Sequence, residues 1–325
     1  MADDEKLPIG FVLDGKQGAQ EVAPGEIPET LNAGEKMWVH LDGITEKNRH
    51  WLEQSPVKLD PLVIDALLAR ETRPRFTEFD NGVLIILRGV NLNENAEPED
   101  MIALRMWVDR KRIISVCRRR LRAVEDIRER VATQKGPKST DEFVVAVSGR
   151  LLDRMKPVLT DLDELTDDVE EDVLESPSVK LRERIIDIRK RSIMLRRHIA
   201  PQRDVLGQLR LEDFDWLSPQ SRRHLQEQYD HVTRIVEDLD AVRERSQIVH
   251  DELTNALADR MNKNMYLISV IAAIFLPLGF LTGLLGINVG GIPGAENTHA
   301  FFIFCAMLVG IITMQIIIFK KLKWF

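Results

Sequence analysis

The sequence has few cysteines, no excess of basic residues and no motif typical of an enzyme. Cys117 and Cys305 are its only cysteines, and neither belongs to a CxxC pair, which excludes a disulfide framework and a thiolate zinc site. The chain has 45 basic and 52 acidic residues, so binding to nucleic acid is not expected. It contains no GxxxxGK motif, no HExxH motif and no recognisable nucleophile elbow. These absences argue against ATP-driven pumping and against enzymatic activity.

Charged residues are also missing from two long stretches near the end of the 325-residue chain. Met265 to Leu285 contains 21 residues and Phe301 to Phe319 contains 19 residues without any Asp, Glu, Lys, Arg or His. At about 1.5 Å per residue, a helix of either length crosses a hydrocarbon layer of about 30 Å. Core helices of soluble proteins rarely run so far without a polar face. We therefore predict two transmembrane helices and a lipid membrane as a partner.

Basic residues flank these two runs unevenly. They precede the first run and follow the second, namely Arg260, Lys263, Lys320, Lys321 and Lys323. The connecting residues 286–300 contain neither Lys nor Arg. Because basic loops remain inside, we expect both termini in the cytoplasm and the connection outside. The first residues resemble no cleavable signal, so a multi-pass protein of the bacterial inner membrane is expected.

Residues 1–140 have the pattern of a mixed α/β cytoplasmic domain. Five segments rich in β-branched and aromatic residues predict strands: Ile9 to Leu13, Met37 to Leu41, Val83 to Leu87, Ile102 to Val108 and Arg112 to Cys117. The alternation within Ile102 to Val108 predicts that one sheet face is more buried than the other. Asp109 to Lys111 is typical of a hairpin turn. A helix is expected from an N-cap at Asp60 to Arg70, and another along Leu121 to Val131.

Residues 141–217 predict a charged helical hairpin. The stretch between Pro157 and Lys180 holds nine acids and no basic residue, whereas Lys180 to Arg203 holds nine basic residues. A turn at Glu175 to Ser178 separates the two parts. An acidic helix followed by a basic one should fold back antiparallel, with complementary faces.

Residues 218–285 predict one long stalk helix that continues into the first transmembrane helix, at about 265–285. Ser218 and Pro219 form a helix start, and no Gly or Pro follows before Pro277. Such a helix would be about 100 Å long, which a small monomer cannot bury, so identical chains are the expected partners. An outer loop at 286–300, a second span at 301–319 and a basic tail at 320–325 complete the chain.

The uncharged spans determine what kind of transport is expected. Two membrane spans cannot enclose a water-filled channel, so several copies of the chain must each contribute one helix to its wall. Without charged side chains in the spans, a filter of carbonyl and amide oxygens suits a cation that keeps part of its water. Any proton coupling must then involve cytoplasmic groups such as His250 and Asp251.

Four segments carry a resemblance to a known family. They are Gly286-Ile287-Asn288 after the first span, the basic tail from Phe319 to Trp324, Thr72-Arg-Pro-Arg75, and Met194 to Asp204. The chain resembles the CorA-type divalent-cation transporters, which have two transmembrane helices and a Gly-x-Asn motif. Their magnesium-transporting members usually show Tyr-Gly-Met-Asn-Phe, whereas Leu285 and Val289 flank the motif here. The sequence is therefore most similar to the zinc-transporting branch.

The resemblance implies a fold, an assembly and a set of site residues. The fold would be an α+β cytoplasmic domain, arranged as an α/β/α sandwich, followed by long helices and two C-terminal transmembrane helices in a funnel-shaped homopentamer. The activity would be Zn²⁺ uptake, assisted by the proton gradient, with no cofactor besides the transported ion. By position, Gly286, Ile287 and Asn288 would form the selectivity motif, and Asn288 would meet the hydrated ion. Pore-lining positions would be Asn262, Met265, Leu276 and Gly279, with Asp251 in the cytoplasmic funnel.

Two other interpretations remain open from the sequence. A channel of the same architecture could carry Mg²⁺ or Co²⁺, or Ni²⁺ or Cd²⁺, instead of zinc. A membrane-anchored coiled-coil scaffold would use the spans only as a tether and would tolerate loss of Asn288. The polar, Gly-rich loop beside the first span argues against a simple anchor.

Overall fold

The structure of the chain is a computed structural model that describes residues 7–13, 19–286, 294 and 297–321. The chain divides into two compact units, Met1–Asp251 and Glu252–Phe325. The first unit contains a mixed sheet and most of the helices. The second contains the apolar part of the chain.

The sheet of the first unit has seven strands among the described residues, in the spatial order β2-β1-β3-β7-β6-β5-β4. Only β3 and β7 are parallel neighbours, and the other adjacent pairs are antiparallel. The strands are β1 Ile9–Leu13, β2 Ala19–Val22, β3 Met37–Asp42, β4 Arg75–Phe79, β5 Gly82–Gly89, β6 Ile102–Val108 and β7 Arg112–Cys117. All five predicted strands are confirmed. Strands β2 and β4 were not predicted, and both lie at sheet edges, where pairing on one side needs little apolar pattern.

Eight helices occur within the described ranges. They are α1 Ile27–Ala33, α2 Glu46–Gln54, α3 Pro61–Leu67, α4 Arg122–Ala132, α5 Thr140–Glu175, α6 Leu181–Leu211, α7 Pro219–Gly286 and α8 Ala300–Lys321. The Asp60 cap is confirmed, because its Oδ1 accepts a hydrogen bond from the Leu62 amide at 2.7 Å. The predicted end at Arg70 is wrong. The helix ends at Leu67, and the Ala69 carbonyl then accepts a hydrogen bond from Arg105 Nη2 at 2.7 Å.

Both faces of the sheet are covered, which contradicts the prediction of one more exposed face on β6. All seven residues of β6 are buried. Helices α1, α2 and α3 contribute to one core, which includes Trp107 of β6. On the other face, Phe143 of α5 packs against Trp38 of β3 with ring centroids 4.6 Å apart. The resulting α/β/α sandwich agrees with the predicted fold class, and alternation along a strand cannot reveal a cover on both faces.

The predicted antiparallel hairpin is confirmed in α5 and α6. Arg184 of α6 pairs with Asp172 near the end of α5, and Arg191 pairs with Asp161, which lies about three helical turns before Asp172. The residue later in α6 thus pairs with the residue earlier in α5, which is the pattern of two antiparallel helices. Arg245 of α7 adds a further link, because it contacts carboxylates of α5 at Asp163, Asp167 and Glu170.

Among the described residues, the second unit consists mainly of the last part of α7 and the whole of α8. Both α7 and α8 contain stretches long and apolar enough to cross a membrane. Only 6% of the stretch in α7 and 0% of the stretch in α8 are buried inside the chain. The unit therefore exposes its apolar side chains, unlike the core helices of a soluble protein.

Candidate ion-conduction site

The apolar part of α7 has two distinct sides. At about 100° per residue, the predicted pore positions Asn262, Met265, Leu276 and Gly279 lie within an arc of about 100°. All four are exposed, and Leu276 exposes 73% of its surface. The prediction that they share one side of the helix agrees with the unbroken α7 helix, and their role in conduction remains a prediction.

The rest of the circumference of α7 carries the positions that are buried or partly buried, namely Val270, Ala273, Ile274, Leu278 and Leu281. Ala273 borders the arc of the pore positions, and the other four lie farther round the helix. Helix α8 reaches α7 through Gln315, whose Nε2 donates a hydrogen bond to the Ala273 carbonyl at 3.2 Å. Within one chain, the face with the pore positions is thus left without a partner among the described residues. Further copies or lipid must cover it.

Small residues lie on the uncovered side and allow a close approach. Apart from its chain neighbours and the nearby backbone of α7, a Cβ built onto Gly279, Gly283 or Gly286 would meet no described atom within 4 Å. Glycines spaced four apart permit close contact between membrane helices. The structure leaves room at these positions for neighbouring helices or for water.

Two hydroxyl side chains of the span, those of Ser269 and Thr282, form hydrogen bonds inside their own helix. Ser269 donates to the Met265 carbonyl at 2.8 Å, and Thr282 donates to the Leu278 and Gly279 carbonyls at 3.0 and 3.1 Å. Helix α7 continues through Pro277, which has no N–H to donate to the Ala273 carbonyl. That carbonyl instead accepts the hydrogen bond from Gln315 Nε2, and such a bond from a neighbouring helix allows a membrane helix to tolerate proline. The hydroxyls still offer oxygen lone pairs to an ion or to water.

The Gly-x-Asn motif begins at the last residue of α7. Gly286 ends this helix, whereas Ile287 and Asn288 lie outside the described residues. Among the residues that the structure describes, no group of three or more His, Cys, Asp or Glu could hold a metal ion.

Asp251, the predicted funnel residue, lies in the first unit on an exposed part of α7. Its carboxylate accepts a hydrogen bond from Gln247 Nε2 at 2.9 Å, and His250 Nδ1 lies 3.5 Å from the same oxygen. The side chain of Asp251 is 66% exposed. A hydrated cation can therefore reach the carboxylate without disrupting a buried bond.

Gln315 was not singled out from the sequence. It is the only amide side chain in the second uncharged run, and a polar residue in such a run commonly bonds to a neighbouring helix. That signal could have identified it. Its Nε2 bonds to α7, whereas its Oε1 is buried and has no hydrogen-bond partner among the described residues. Gln315 fixes the contact between α7 and α8 that leaves the other side of α7 uncovered.

A sheet-containing unit followed by two exposed apolar helices is typical of a membrane protein rather than of a soluble one. A family model described as "CorA-like Mg2+ transporter protein" matches residues 34–321. The chain belongs to this family of divalent-cation transporters. The predicted family is thereby confirmed.

Relatives of known or named function match nearly the whole chain. The divalent cation transporter CmaX of Pseudomonas aeruginosa is 38% identical over 328 residues, which are 99% of this chain and 98% of CmaX. The zinc transport protein ZntB of Pectobacterium atrosepticum is 37% identical over 314 residues, covering 97% of this chain and 94% of that protein. The solved structure of full-length CmaX superposes with a TM-score of 0.84 at 36% identity, covering 98% of this chain and 99% of that one.

Proposed function

We propose that the protein transports Zn²⁺ across the bacterial inner membrane as a homopentamer, with α7 of each subunit lining a central path. The observation that carries this proposal is the uncharged side of α7 that α8 leaves uncovered. Five such sides, facing one axis, would enclose a path lined by an amide, a thioether and helix backbone at glycine. Both termini would lie in the cytoplasm, as the basic residues beside the two spans favour.

Zinc is proposed as the cargo on two grounds. ZntB of Pectobacterium atrosepticum is named a zinc transport protein and is 37% identical to this chain. The residues around Gly286-Ile287-Asn288 also lack the tyrosine and phenylalanine usual in magnesium-transporting members. The Asn288 amide oxygens of several subunits would accept hydrogen bonds from the water of the incoming ion.

Uptake is the direction that the membrane potential favours. An inside-negative potential stabilises inward movement by about 2.3 kcal/mol per charge per 100 mV, or about 4.6 kcal/mol for a divalent ion. No Asp, Glu, Lys, Arg or His occurs in either uncharged run. Coupling to protons would therefore act through cytoplasmic groups such as His250 and Asp251, and a Zn²⁺ flux independent of the pH gradient would exclude it.

Zn²⁺ influx into proteoliposomes that contain a zinc-sensitive dye tests the proposal. We expect Asn288→Ala and Gly286→Ala to reduce influx strongly, because the first removes the amide oxygens and the second adds a methyl group on the uncovered side of α7. Asn297→Ala is a matched control, since Asn297 is another asparagine beyond the first span and precedes α8. Influx equal to that of the parent in Asn288→Ala would show that the filter assignment is wrong. The mass of the detergent-solubilised protein tests the pentamer.

A second candidate cargo is Mg²⁺ or Co²⁺, or Ni²⁺ or Cd²⁺. The observation that favours it is the family description, which names Mg²⁺, together with CmaX, which is named only as a divalent cation transporter. Competition in the same vesicles separates the candidates. Zn²⁺ influx that is blocked by micromolar Mg²⁺ or Co²⁺ would favour the alternative.

A further inference from the structure

A cavity of about 590 Å³ lies in the first unit, at one end of the sheet. Strand β6 begins at this end, and β5 and β7 finish there because both are antiparallel to β6. The connection from α3 to β4 and one turn of α6 complete the wall. The topology thus brings together side chains from five separate parts of the chain.

The wall of this cavity is strongly basic. Its carboxylates are Glu71 and Asp100, whereas its arginines are Arg70, Arg73, Arg88, Arg105, Arg118, Arg119 and Arg197. Seven positive charges less two negative charges leave a net charge of +5, in a chain whose overall charge is -7. Like charges gathered in one concave site repel each other unless an anion neutralises them.

Most of these arginines have no acidic partner. Arg119 pairs with Asp100 at 2.8 Å, and Arg88 donates from Nη1 to the Met101 carbonyl at 2.7 Å and from Nε to the Thr72 carbonyl at 3.2 Å. Four others are exposed and make no side-chain hydrogen bond or ion pair with any described residue: Arg70, Arg73, Arg118 and Arg197. Their guanidinium groups are available to a ligand.

Arg105 is the deepest of the seven and exposes only 2% of its surface. Its Nη2 donates to the Ala69 carbonyl at 2.7 Å and its Nη1 to the Ala103 carbonyl at 3.4 Å, but its Nε is buried without a partner among the described residues. Burial lowers the pKa of this guanidinium, although an arginine remains charged. A buried cation without a carboxylate is costly, and an anion in the cavity would offset that cost.

Two further polar groups of the wall, Thr72 Oγ1 and His198 Nδ1, are buried without partners in the described part of the chain. Burial, together with the charges of Arg88, Arg197 and Arg73, lowers the pKa of His198 to about 4. The imidazole is therefore neutral near pH 7 and can donate one N–H. The Thr72 hydroxyl and the His198 imidazole can each donate a hydrogen bond, and phosphate oxygens accept such bonds.

We propose that this cavity binds a polyphosphate chain, carried by a nucleotide or by inorganic polyphosphate. Arginine forks match phosphate oxygens in pairs, and several phosphates are needed to balance a net charge of +5. The volume lies within the range of about 300–1,000 Å³ common for ligand sites. The described residues of the wall include no aromatic side chain of the Phe, Tyr or Trp type that could stack on a base, so recognition rests on the phosphates.

The site accounts for two sequence segments that ion conduction does not use. Thr72-Arg-Pro-Arg75 supplies Thr72 and Arg73, and the segment from Met194 to Asp204 supplies Arg197 and His198. The ligand would be distinct from the transported cation, since the wall has the wrong charge for a metal ion. The proposal is therefore independent of which metal the protein carries.

Isothermal titration calorimetry on the purified full-length protein in detergent tests this proposal. We expect tripolyphosphate and ATP to bind with similar affinity, and orthophosphate at least tenfold more weakly, because single phosphates reach fewer arginines. Binding of ATP without binding of tripolyphosphate would contradict recognition through the phosphates. Equal affinity for orthophosphate, or no binding of either polyphosphate, would also overturn the proposal.

Two double variants with the same change in charge make the test specific to the cavity. Arg73→Ala with Arg197→Ala removes two unpaired arginines of the wall and should weaken tripolyphosphate binding at least tenfold. Arg75→Ala with Arg182→Ala is the control, because both residues are exposed, lie outside the wall and form no ion pair with a described residue. An equal loss in both variants would show a general effect of charge and would refute the site. Binding is measured without ion flux, so failure of transport does not affect the result.

Discussion

The Asp141 carboxylate in the first turn of α5 accepts a hydrogen bond from the Ser221 hydroxyl of α7 at 2.8 Å. The same oxygen accepts one from the Ser218 amide at 3.2 Å, and Ser139 donates to the other oxygen. Asp141 exposes only 5% of its surface. One buried carboxylate thus joins the starts of two long helices that are far apart in the sequence.

This arrangement predicts a pH-dependent contribution to stability. Burial acts to raise the pKa of Asp141, but the hydrogen bonds from Ser139, Ser218 and Ser221 outweigh it and hold the pKa below its ordinary value. The contribution is therefore complete above the unfolded pKa of about 3.9 and disappears as the pH falls through the lower folded pKa. We expect Asp141→Asn to lower the Tm at pH 7, and we expect its difference in Tm from the parent to shrink as the pH falls below about 3.9, as measured by thermal unfolding in detergent.

Asp168→Asn is the matched control for Asp141, since Asp168 is an exposed carboxylate of α5 that makes no hydrogen bond to another described residue. Its Tm should follow that of the parent at every pH. A constant difference between Asp141→Asn and the parent from pH 7 to pH 3 would contradict the role of the charged carboxylate.

Arg245 predicts a second effect on stability, which depends on salt. Its guanidinium contacts Asp163 at 3.2 Å, Glu170 at 2.7 Å and also Asp167. The hydrogen bonds to Glu170 and to Asp167 raise the pKa of Arg245. In Arg245→Gln the three acids would face one another without a counter-charge. We expect a loss of about 1 kcal/mol in the free energy of unfolding at low salt, which shrinks as salt screens the repulsion.

The neighbouring Arg243→Gln variant controls for the loss of an arginine from α7. Arg243 is 3.9 Å from Asp240 and has no other carboxylate within ion-pair distance among the described residues. Its stability should change little. A salt-independent loss in Arg245→Gln would point to lost packing rather than to charge.

Cys117 is expected to be unreactive in the folded protein. It exposes 1% of its surface, and burial raises the pKa of its thiol to about 12. Because the thiolate is the reactive form, a Cys305→Ser variant should react with a water-soluble maleimide at pH 7.5 only after denaturation. Rapid labelling of the native variant would mean that the end of β7 opens to solvent.

The same Cys305→Ser background tests which side of α7 faces the proposed path. We expect Leu276→Cys to react with a charged methanethiosulfonate reagent in membranes, because Leu276 lies on the uncovered side. Leu278→Cys, two residues later on the partly buried side, should react far more slowly. Equal protection of both cysteines would contradict a wet path along this side of the helix.

Much of the fold could be predicted from the sequence because its signals are local. The strands Ile9–Leu13, Ile102–Val108 and Arg112–Cys117 have the predicted bounds, since β-branched residues bounded by turn residues mark them directly. The long α7 helix follows from the absence of Gly and Pro over most of its length. The roles of Asn262, Met265, Leu276, Gly279 and Asp251 rest on family resemblance and helical spacing, and they remain predictions.

The sequence by itself determined the two uncharged helices, the acidic and basic hairpin and the family, because runs of like residues along the chain encode them. Tertiary structure decided the pairing of edge strands β2 and β4, the cover on both faces of β6, and the side of α7 that Gln315 leaves open. It alone gathered arginines from five parts of the chain around one cavity. Those features depend on contacts between residues distant in sequence, which no local pattern records.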